Sequence, residues 1–267
     1  MAKRRSKKKK KQKRRQLLAF AILLLLASII LISHPVLRSR IQLLFYKTHE
    51  NQLELKKSQK HLDEYSVYGI DVSEYQDVIV WEKLAKKEDV DFVFIRATAG
   101  INYQDNYFLY NWKESAKSGL IQGAYHYYRP NENSIQQAHT FINHVNLKPG
   151  NLPPVLDIED YSNIQSLSKL KIGLLRWLNV VEQHYGVKPI IYTYYKYYNL
   201  HFQHDQRFDA YNFWLARYGN YTTLKKPGDK WIIWQFTQKG QVAGIHGDVD
   251  LNVFYSDKNA LNNLRIE

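Results

Sequence analysis

Asp157 and Glu159 stand two residues apart at the end of the apolar run Pro153-Pro154-Val155-Leu156. If that run is a strand, side chains two apart leave the same face, with alpha carbons roughly 6.5–7 Å apart, while Ile158 points to the other layer. Two carboxyls then enter one pocket. Like charges held close do not both ionise easily, so one pKa rises and a protonated acid stands beside an ionised partner near neutral pH. Cleavage of a glycosidic bond needs that pairing: an acid for the leaving oxygen and a negative group near the oxocarbenium-like centre. A D-x-E segment alone is more often a helix cap or a solvent-facing pair. Its company raises it above that level. Asp71 lies near the end of Tyr68-Gly69-Ile70-Asp71-Val72-Ser73, and Asp248 and Asp250 lie in Gly247-Asp248-Val249-Asp250-Leu251-Asn252.

The second chemical signal is aromatic. Residues 66–267 hold 19 of the 21 Tyr and all 6 Trp. Many fall at the ends of apolar runs: Tyr125, Tyr127, Tyr192, Trp214 and Trp234 are the candidates for a groove, since a rigid ring with a polar tip suits the C–H face of a sugar. Any one of them alone reads as core. His126 within the same pattern is either groove-lining or a hydrogen-bonded core histidine. His201-x-x-His204-Asp205 has metal-ligand spacing but sits in a polar stretch without His-Glu-x-x-His, so a solvated pair is expected and no metal. There is no Gly-x-Ser-x-Gly segment for serine chemistry, and zero cysteines exclude thiol nucleophiles and thiolate metal sites.

The elements that must position these residues follow from periodicity and breakers. Strands are expected at 68–73, 92–98, 121–128, 154–159, 189–194, 212–217, 230–236 and 248–253, from their β-branched and aromatic content. Helices fit at 80–87, 107–118, 134–145 and 167–185. Early strands alternating with helices, followed by three late strands with short connections, predict an α/β fold: an irregular eight-stranded β/α barrel with fewer helices than strands. In such barrels chemistry gathers at the C-terminal strand ends, where Asp71, Asp157 and Glu159 would stand. A doubly wound open sheet is the competing architecture, without either common glycine-rich phosphate loop.

Charge divides the 267-residue chain, whose formal net charge is +13. Residues 1–15 carry 11 Lys or Arg and no acid, residues 34–65 carry 6 basic and 4 acidic side chains, and residues 66–267 carry 21 of each. The main body is formally neutral, which removes the compositional case for nucleic-acid binding. After the basic run come sixteen uncharged residues, Leu17 to Ile32, apolar except for Ser28 and flanked by Gln16 and Ser33. As a helix of about 27 Å, residues 16–33 are long enough to span a bilayer. A cleaved signal peptide is the alternative, but it calls for a shorter apolar stretch and a small-x-small site, which Ser28-Ile29-Ile30 and Ser33-His34-Pro35 match poorly. The expected organisation is a basic cytoplasmic tail (1–15), one N-terminal transmembrane helix (16–33), a stalk or linker (34–65) and an extracellular barrel domain (66–267), oriented by the positive-inside rule. The chain is expected at the cell membrane as a single-pass monomer.

Six segments in order, Gly69-Ile70-Asp71-Val72-Ser73 with Tyr75-Gln76, Arg96-Ala97-Thr98-Ala99-Gly100, Gly123-Ala124-Tyr125-His126-Tyr127, Asp157-Ile158-Glu159, Trp234-Gln235-Phe236 and Asp248-Val249-Asp250-Leu251-Asn252, resemble glycoside hydrolase family 25, the Chalaropsis-type lysozymes or N-acetylmuramidases. The resemblance spans residues 67–255. It implies the family's irregular β/α barrel, no cofactor, and hydrolysis of the β-1,4 bond between N-acetylmuramic acid and N-acetylglucosamine in peptidoglycan. By the same resemblance Glu159 is the catalytic acid and Asp157 its partner, orienting a substrate acetamido nucleophile or itself attacking. Asp71 and Asp250 hold the charge and geometry of the site, and Arg96 and Gln235 join the aromatics in substrate binding. Two positions depart from the family pattern. Ala99 stands where a groove-lining glutamate is usual, and after Gln76 the residues Asp77 and Val80 replace the family's glycine and aspartate.

The expectation is therefore a tethered muramidase acting on glycan strands of the wall beside its own membrane. A non-catalytic glycan-binding scaffold on the same barrel is the alternative, disfavoured because all four acids are retained. The basic tail is free to touch anionic lipid.

Overall fold

The computed structural model describes residues 62, 64–87, 89–219 and 230–267, all within the compact unit Glu50–Glu267. The expected tail, membrane helix and all of the stalk except 62, 64 and 65 lie outside the described residues. Among the described residues no helix is long and apolar enough to cross a membrane.

Nine strands form one sheet: β1 (Tyr68–Val72), β2 (Phe92–Ala99), β3 (Tyr103–Gln104), β4 (Ile121–Tyr127), β5 (Val155–Asp157), β6 (Ile190–Tyr194), β7 (Phe213–Ala216), β8 (Trp231–Gly240) and β9 (Val249–Phe254). Their order is β1-β9-β8-β7-β6-β5-β4-β2-β3, and a further β1–β2 pairing closes eight of them into a barrel with β3 as a hairpin on β2. Around the barrel β1, β2, β4, β5, β6, β7 and β8 pair in parallel, while β9 runs antiparallel to both β8 and β1 and β3 antiparallel to β2. Six helices accompany them among the described residues: α1 (Trp81–Lys87), α2 (Phe108–Lys117), α3 (Ser134–His144), α4 (Leu167–Tyr185), α5 (Tyr195–His201) and α6 (Lys258–Asn263). This is the eight-stranded barrel with fewer helices than strands that the sequence predicts. The antiparallel β9 accounts for one missing helix: a hairpin return from β8 needs no crossover helix.

Alternation sorts the barrel into two layers. Phe92 and Phe94 on β2, Val155, Ile190, Trp214 and Phe254 pack inside, while Val93, Ile95, Leu156, Ile191, Leu215 and Val253 pack outward beneath the helices. The outer layer is covered because α2, α3 and α4 each present an apolar face, for example Leu170, Leu174, Trp177, Leu178 and Val181 of α4. Ser166 caps the start of α4 by accepting from the Lys169 N–H, and Gly186, with φ of 70°, ends it in the left-handed region. Inside, the positions facing the large rings on β2 must be small. A Cβ at Gly69 would lie 2.3 Å from the Phe92 ring, and one at Gly123 would lie 2.2 Å from that of Phe94. Phe94 in turn stacks on Trp214, with centroids 4.8 Å apart. This aromatic plug fills the lower barrel and forms a floor for what lies above.

Besides the short β3, two helices escaped the sequence pattern. α5 follows β6 without a break, and α6 holds its N-terminus by the Asp257 side chain accepting from the Ala260 N–H. At the other end, Leu62 and Tyr65, assigned to the stalk, are buried against the barrel, and Tyr65 meets Trp234 edge to face at 6.2 Å.

Candidate active site

Above the plug the inward positions change from apolar to polar, each on the strand and register that alternation dictates. Asp71 follows Gly69 on β1, Arg96 follows Phe94 on β2, Tyr125 and Tyr127 follow Gly123 on β4, and Asp157 follows Val155 on β5. Tyr192 on β6, Trp214 on β7, Gln235 on β8 and Asp250 on β9 complete the ring. Together with Val72, Ser73, Tyr75, Gln76 and Glu159 these side chains line a cavity of about 200 Å³ at the C-terminal strand ends. Strand β5 itself stops at Asp157, but Ile158 N–H still donates to the Tyr192 carbonyl at 3.0 Å. The chain thus stays extended for one more residue, and Glu159 enters the same cavity as Asp157.

Ten of the eleven residues expected at the site line this cavity; Trp234 does not. It is buried on the opposite face of β8, packed against Tyr65 and Phe236, with its indole N–H donating to the Arg217 carbonyl at 3.0 Å. The physical reason is the two-residue period of the strand: Gln235 faces the barrel axis, so its neighbour must face out. His126 is likewise outside the groove. It is buried between Thr98 and Gln137, its ring nitrogens 2.7 and 3.1 Å from their oxygens, and it stacks on Trp177. His201 pairs through Nε2 with the Tyr161 hydroxyl at 2.8 Å, and Asp205 is held by Lys171 and Arg207. These two therefore have partners of their own, and no metal-ligating cluster occurs among the described residues.

A hydrogen-bond relay fixes the carboxyls on the β1 side. The Trp214 indole donates to Asn252 Oδ1 at 2.7 Å, and Asn252 Nδ2 donates to Asp71 Oδ2 at 2.8 Å. Gln235 Nε2 donates to that same oxygen at 2.8 Å, while Gln235 Oε1 accepts from Tyr192 at 2.8 Å and Tyr218 at 2.5 Å. Asp71 also shares a side-chain hydrogen bond with Asp250, directly opposite it in the β1–β9 register. Burial raises the Asp71 pKa to about 6 against the opposing pull of Asn252 and Gln235. Burial, and then the Asp71 charge, raises that of Asp250 to about 8. The two carboxyls therefore share a proton at neutral pH.

The other two acids are differently placed. Burial pushes Asp157 well above the usual carboxylate range, and the charges of Glu159 and Asp71 add to this, while Arg96 opposes it. Its buried Oδ1 has no hydrogen-bond partner among the described residues, so that oxygen is available to a group entering the cavity. Burial raises Glu159 to about 7, Asp160 and Asp71 contribute in the same direction, and the nearby Tyr192 hydroxyl and the hydrogen bond from Tyr194 oppose them. Glu159 is thus an acid poised near neutral pH, at the rim and half-buried, where a proton can be handed to a bound oxygen.

The opposite rim is built by the turn after β1. Ser73 and Gln76 cap each other around Glu74–Gln76, which lifts Tyr75 to 79% exposure. Arg96 is clamped by Asp105 at 2.9 Å and Glu74 at 3.1 Å, with its guanidinium 4.9 Å from the Tyr75 ring centroid. Tyr103 also donates to Glu74. Asp77, standing where the family has glycine, has φ of 54° and ψ of −139° and is the only non-glycine with positive φ among the described residues. Ala99, where a glutamate is usual, is buried at the end of β2 and does not line the cavity.

Four carboxyls, a covered aromatic floor and a ring of tyrosine hydroxyls make this a site for acid-assisted cleavage of a sugar acetal. A model of the family described as "Glycosyl hydrolases family 25" matches residues 70–245. The chain belongs to glycosyl hydrolase family 25. As a member of that family it is a glycoside hydrolase of the lysozyme type. Among family 25 relatives it is similar to Lysozyme M1 of Streptomyces globisporus, 34% identical over 203 residues that cover 72% of this chain and 69% of that protein. It is also similar to the uncharacterized protein YegX of Escherichia coli K12, 39% identical over 197 residues covering 71% and 70% of the two chains. Among solved structures, the Streptomyces coelicolor bacterial lysozyme superposes with a TM-score of 0.69 at 31% identity, covering 76% of this chain and 98% of that one. A family 25 glycosyl hydrolase from Bacillus anthracis gives 0.66 at 30% identity, with coverages of 81% and 98%.

The sequence reasoning overlooked Asn252 as a site residue, and Tyr194 and Tyr218 with it. The signal was present: Asn252 follows Asp250 by two, and Tyr194 follows Tyr192 by two, so each shares its partner's face.

Proposed function

We propose that the chain is an N-acetylmuramidase that hydrolyses the β-1,4 bond between N-acetylmuramic acid and N-acetylglucosamine in peptidoglycan. The observation that carries this reading is the convergence of Glu159 and Asp157 in one cavity, the first poised as an acid and the second buried with a free oxygen. Glu159 gives its proton to the glycosidic oxygen as the bond to the anomeric carbon breaks. The acetamido oxygen of the same sugar closes on that carbon from the other side. Asp157 polarises the acetamido N–H through the oxygen that lacks a protein partner. Glu159, now a carboxylate, takes a proton from the water that reopens the ring intermediate, which restores the acid and frees the reducing end. Asp71, Asp250, Gln235 and Asn252 hold the cavity's shape and its charge, and Tyr125, Tyr192 and Trp214 form the wall and floor against which the sugar lies.

Residues 16–33 and 34–65 support a location at the outer face of the cell membrane, with the barrel held on a stalk so that cleavage is confined to adjacent wall. The test is digestion of purified peptidoglycan by the full chain. The expected product carries reducing-end muramic acid, and Glu159→Gln lowers turnover at least about a hundredfold with the fold intact. Reducing-end glucosamine, or unchanged turnover in the variant, overturns the assignment.

A further inference from the structure

A second cavity, of about 590 Å³, adjoins the first beyond the ends of β6 and β7, and Glu159 lines both. Its volume is in the range that holds a small molecule. Its walls come from Tyr161, Tyr194, Tyr197 and Tyr218, with Lys196 and Arg217 beside them. Tyr161 is 57% exposed and stacks on Tyr197 with centroids 4.9 Å apart, so a flat aromatic face is open to solvent. The charge pattern is the reverse of the first cavity. There, four carboxyls surround one arginine; here Glu159 is the only carboxyl among the described residues of the lining, and two cations line the wall. Arg217 is held over the Tyr195 ring at 4.6 Å, which fixes its direction, and Lys196 makes no ion pair among the described residues.

Resting on the muramidase reading above, we infer that this second cavity is a leaving-group-side subsite in which Lys196 and Arg217 bind the carboxylate borne on the muramic acid of the departing strand. The direction follows from Glu159. The acid must sit at the bond that breaks, so a sugar held in the carboxyl-rich cavity lies on one side of it and the leaving group on the other. The first leaving sugar is N-acetylglucosamine, which is neutral, and the open tyrosine face suits its ring. The next is muramic acid, whose lactyl group ends in a carboxylate when its peptide has been removed. A cationic wall beyond the aromatic face matches that order of neutral then anionic units.

Calorimetric binding to the full chain carrying Glu159→Gln reads this subsite without turnover. The probes are tetrasaccharides of alternating glucosamine and muramic acid stripped of peptide, in free lactyl carboxylate form and with those carboxylates converted to methylamides. The expected result is about tenfold tighter binding of the carboxylate form, and loss of that preference when Lys196→Ala and Arg217→Gln are added. Lys196 is exposed, so Lys196→Ala alone, which is expected to remove part of the preference, guards against a fold effect from the arginine change. Equal affinity of the two probes for the parent protein overturns the subsite, as does an unchanged preference in the variants. Neither outcome bears on the digestion of peptidoglycan by the wild type and Glu159→Gln, which decides the muramidase reading.

Discussion

Asp71 on β1 and Asp250 on β9 face each other in the antiparallel register that closes the barrel, and their carboxyls are joined by a hydrogen bond. Two buried acids so placed need one proton between them, and the remaining charge is held by the amide donors of Gln235 and Asn252. The closure of the barrel and the electrostatics of its mouth are therefore one construction.

The amide relay predicts how substitutions at Asp71 divide. Asp71→Asn keeps an oxygen for Gln235 and Asn252 and presents an N–H to Asp250, so its fold is retained. Asp71→Ala leaves two buried amide donors unpaired and is expected to be less stable than Asp71→Asn by about 2–3 kcal/mol. Denaturant unfolding of the two variants decides this. Equal midpoints would mean that the relay contributes nothing to stability.

Titration of Glu159 moves activity and stability in the same direction, for different reasons. Its folded pKa of about 7 lies above the ordinary value of 4.5, and the protonated form is the one that donates. Activity as kcat/KM is expected to fall as pH rises through about 7. Stability runs in the same direction for a different reason: between the two pKa values the folded chain binds more protons than the unfolded one, so wild-type stability declines as pH rises from the lower value through the higher. Glu159→Gln cannot ionise and escapes that decline. It is expected to be more stable than wild type by about 1–3 kcal/mol at pH 8, with the difference vanishing near pH 4. Thermal unfolding across that range tests the sign, and a variant less stable at pH 8 would contradict the burial of the carboxylate.

Asp77 tests the departure from the family glycine. Its φ of 54° with ψ of −139° is a conformation that glycine adopts freely and an L side chain does not. The Tyr107 hydroxyl, donating to Asp77 Oδ1 at 2.8 Å, compensates in part and is solvent-exposed. Asp77→Gly is expected to stabilise the fold by roughly 1 kcal/mol, read as a rise in Tm without change in kcat, since Asp77 does not line the cavity.

How much of this was legible in the sequence depended on the scale of the interaction. Alternation placed Asp157 and Glu159 on one face because a strand's period is local and exact to one residue, and the strand-end rule brought Asp71 to the same mouth. Trp234 was assigned to the groove together with its neighbour Gln235, although adjacent strand residues face opposite sides; only the pairing of β8 with its neighbours determines which one faces the axis. Asn252 was unrecognised because its importance comes from Trp214 and Asp71, residues distant in sequence that only barrel closure brings to it. The helix α5 was hidden because Tyr195 to His201 carries a strand-like aromatic composition directly after β6, and its buried Tyr197 and Tyr198 find their partners through tertiary packing.

The floor of the site depends on a glycine two layers below the chemistry. At Gly123 an added methyl would stand 2.2 Å from the Phe94 ring and 3.1 Å from the Leu152 Cβ, so the ring must move. Phe94 is fully buried and stacked on Trp214, which both lines the cavity and donates to Asn252. Displacing the ring therefore pushes on the relay that holds Asp71. Gly123→Ala is expected to cost about 1–3 kcal/mol of stability by overpacking and to lower kcat as well. Phe94→Leu in the same chain removes the clash and should return part of both. If Gly123→Ala loses stability while kcat stays at the wild-type value, the plug supports the barrel without positioning the acids.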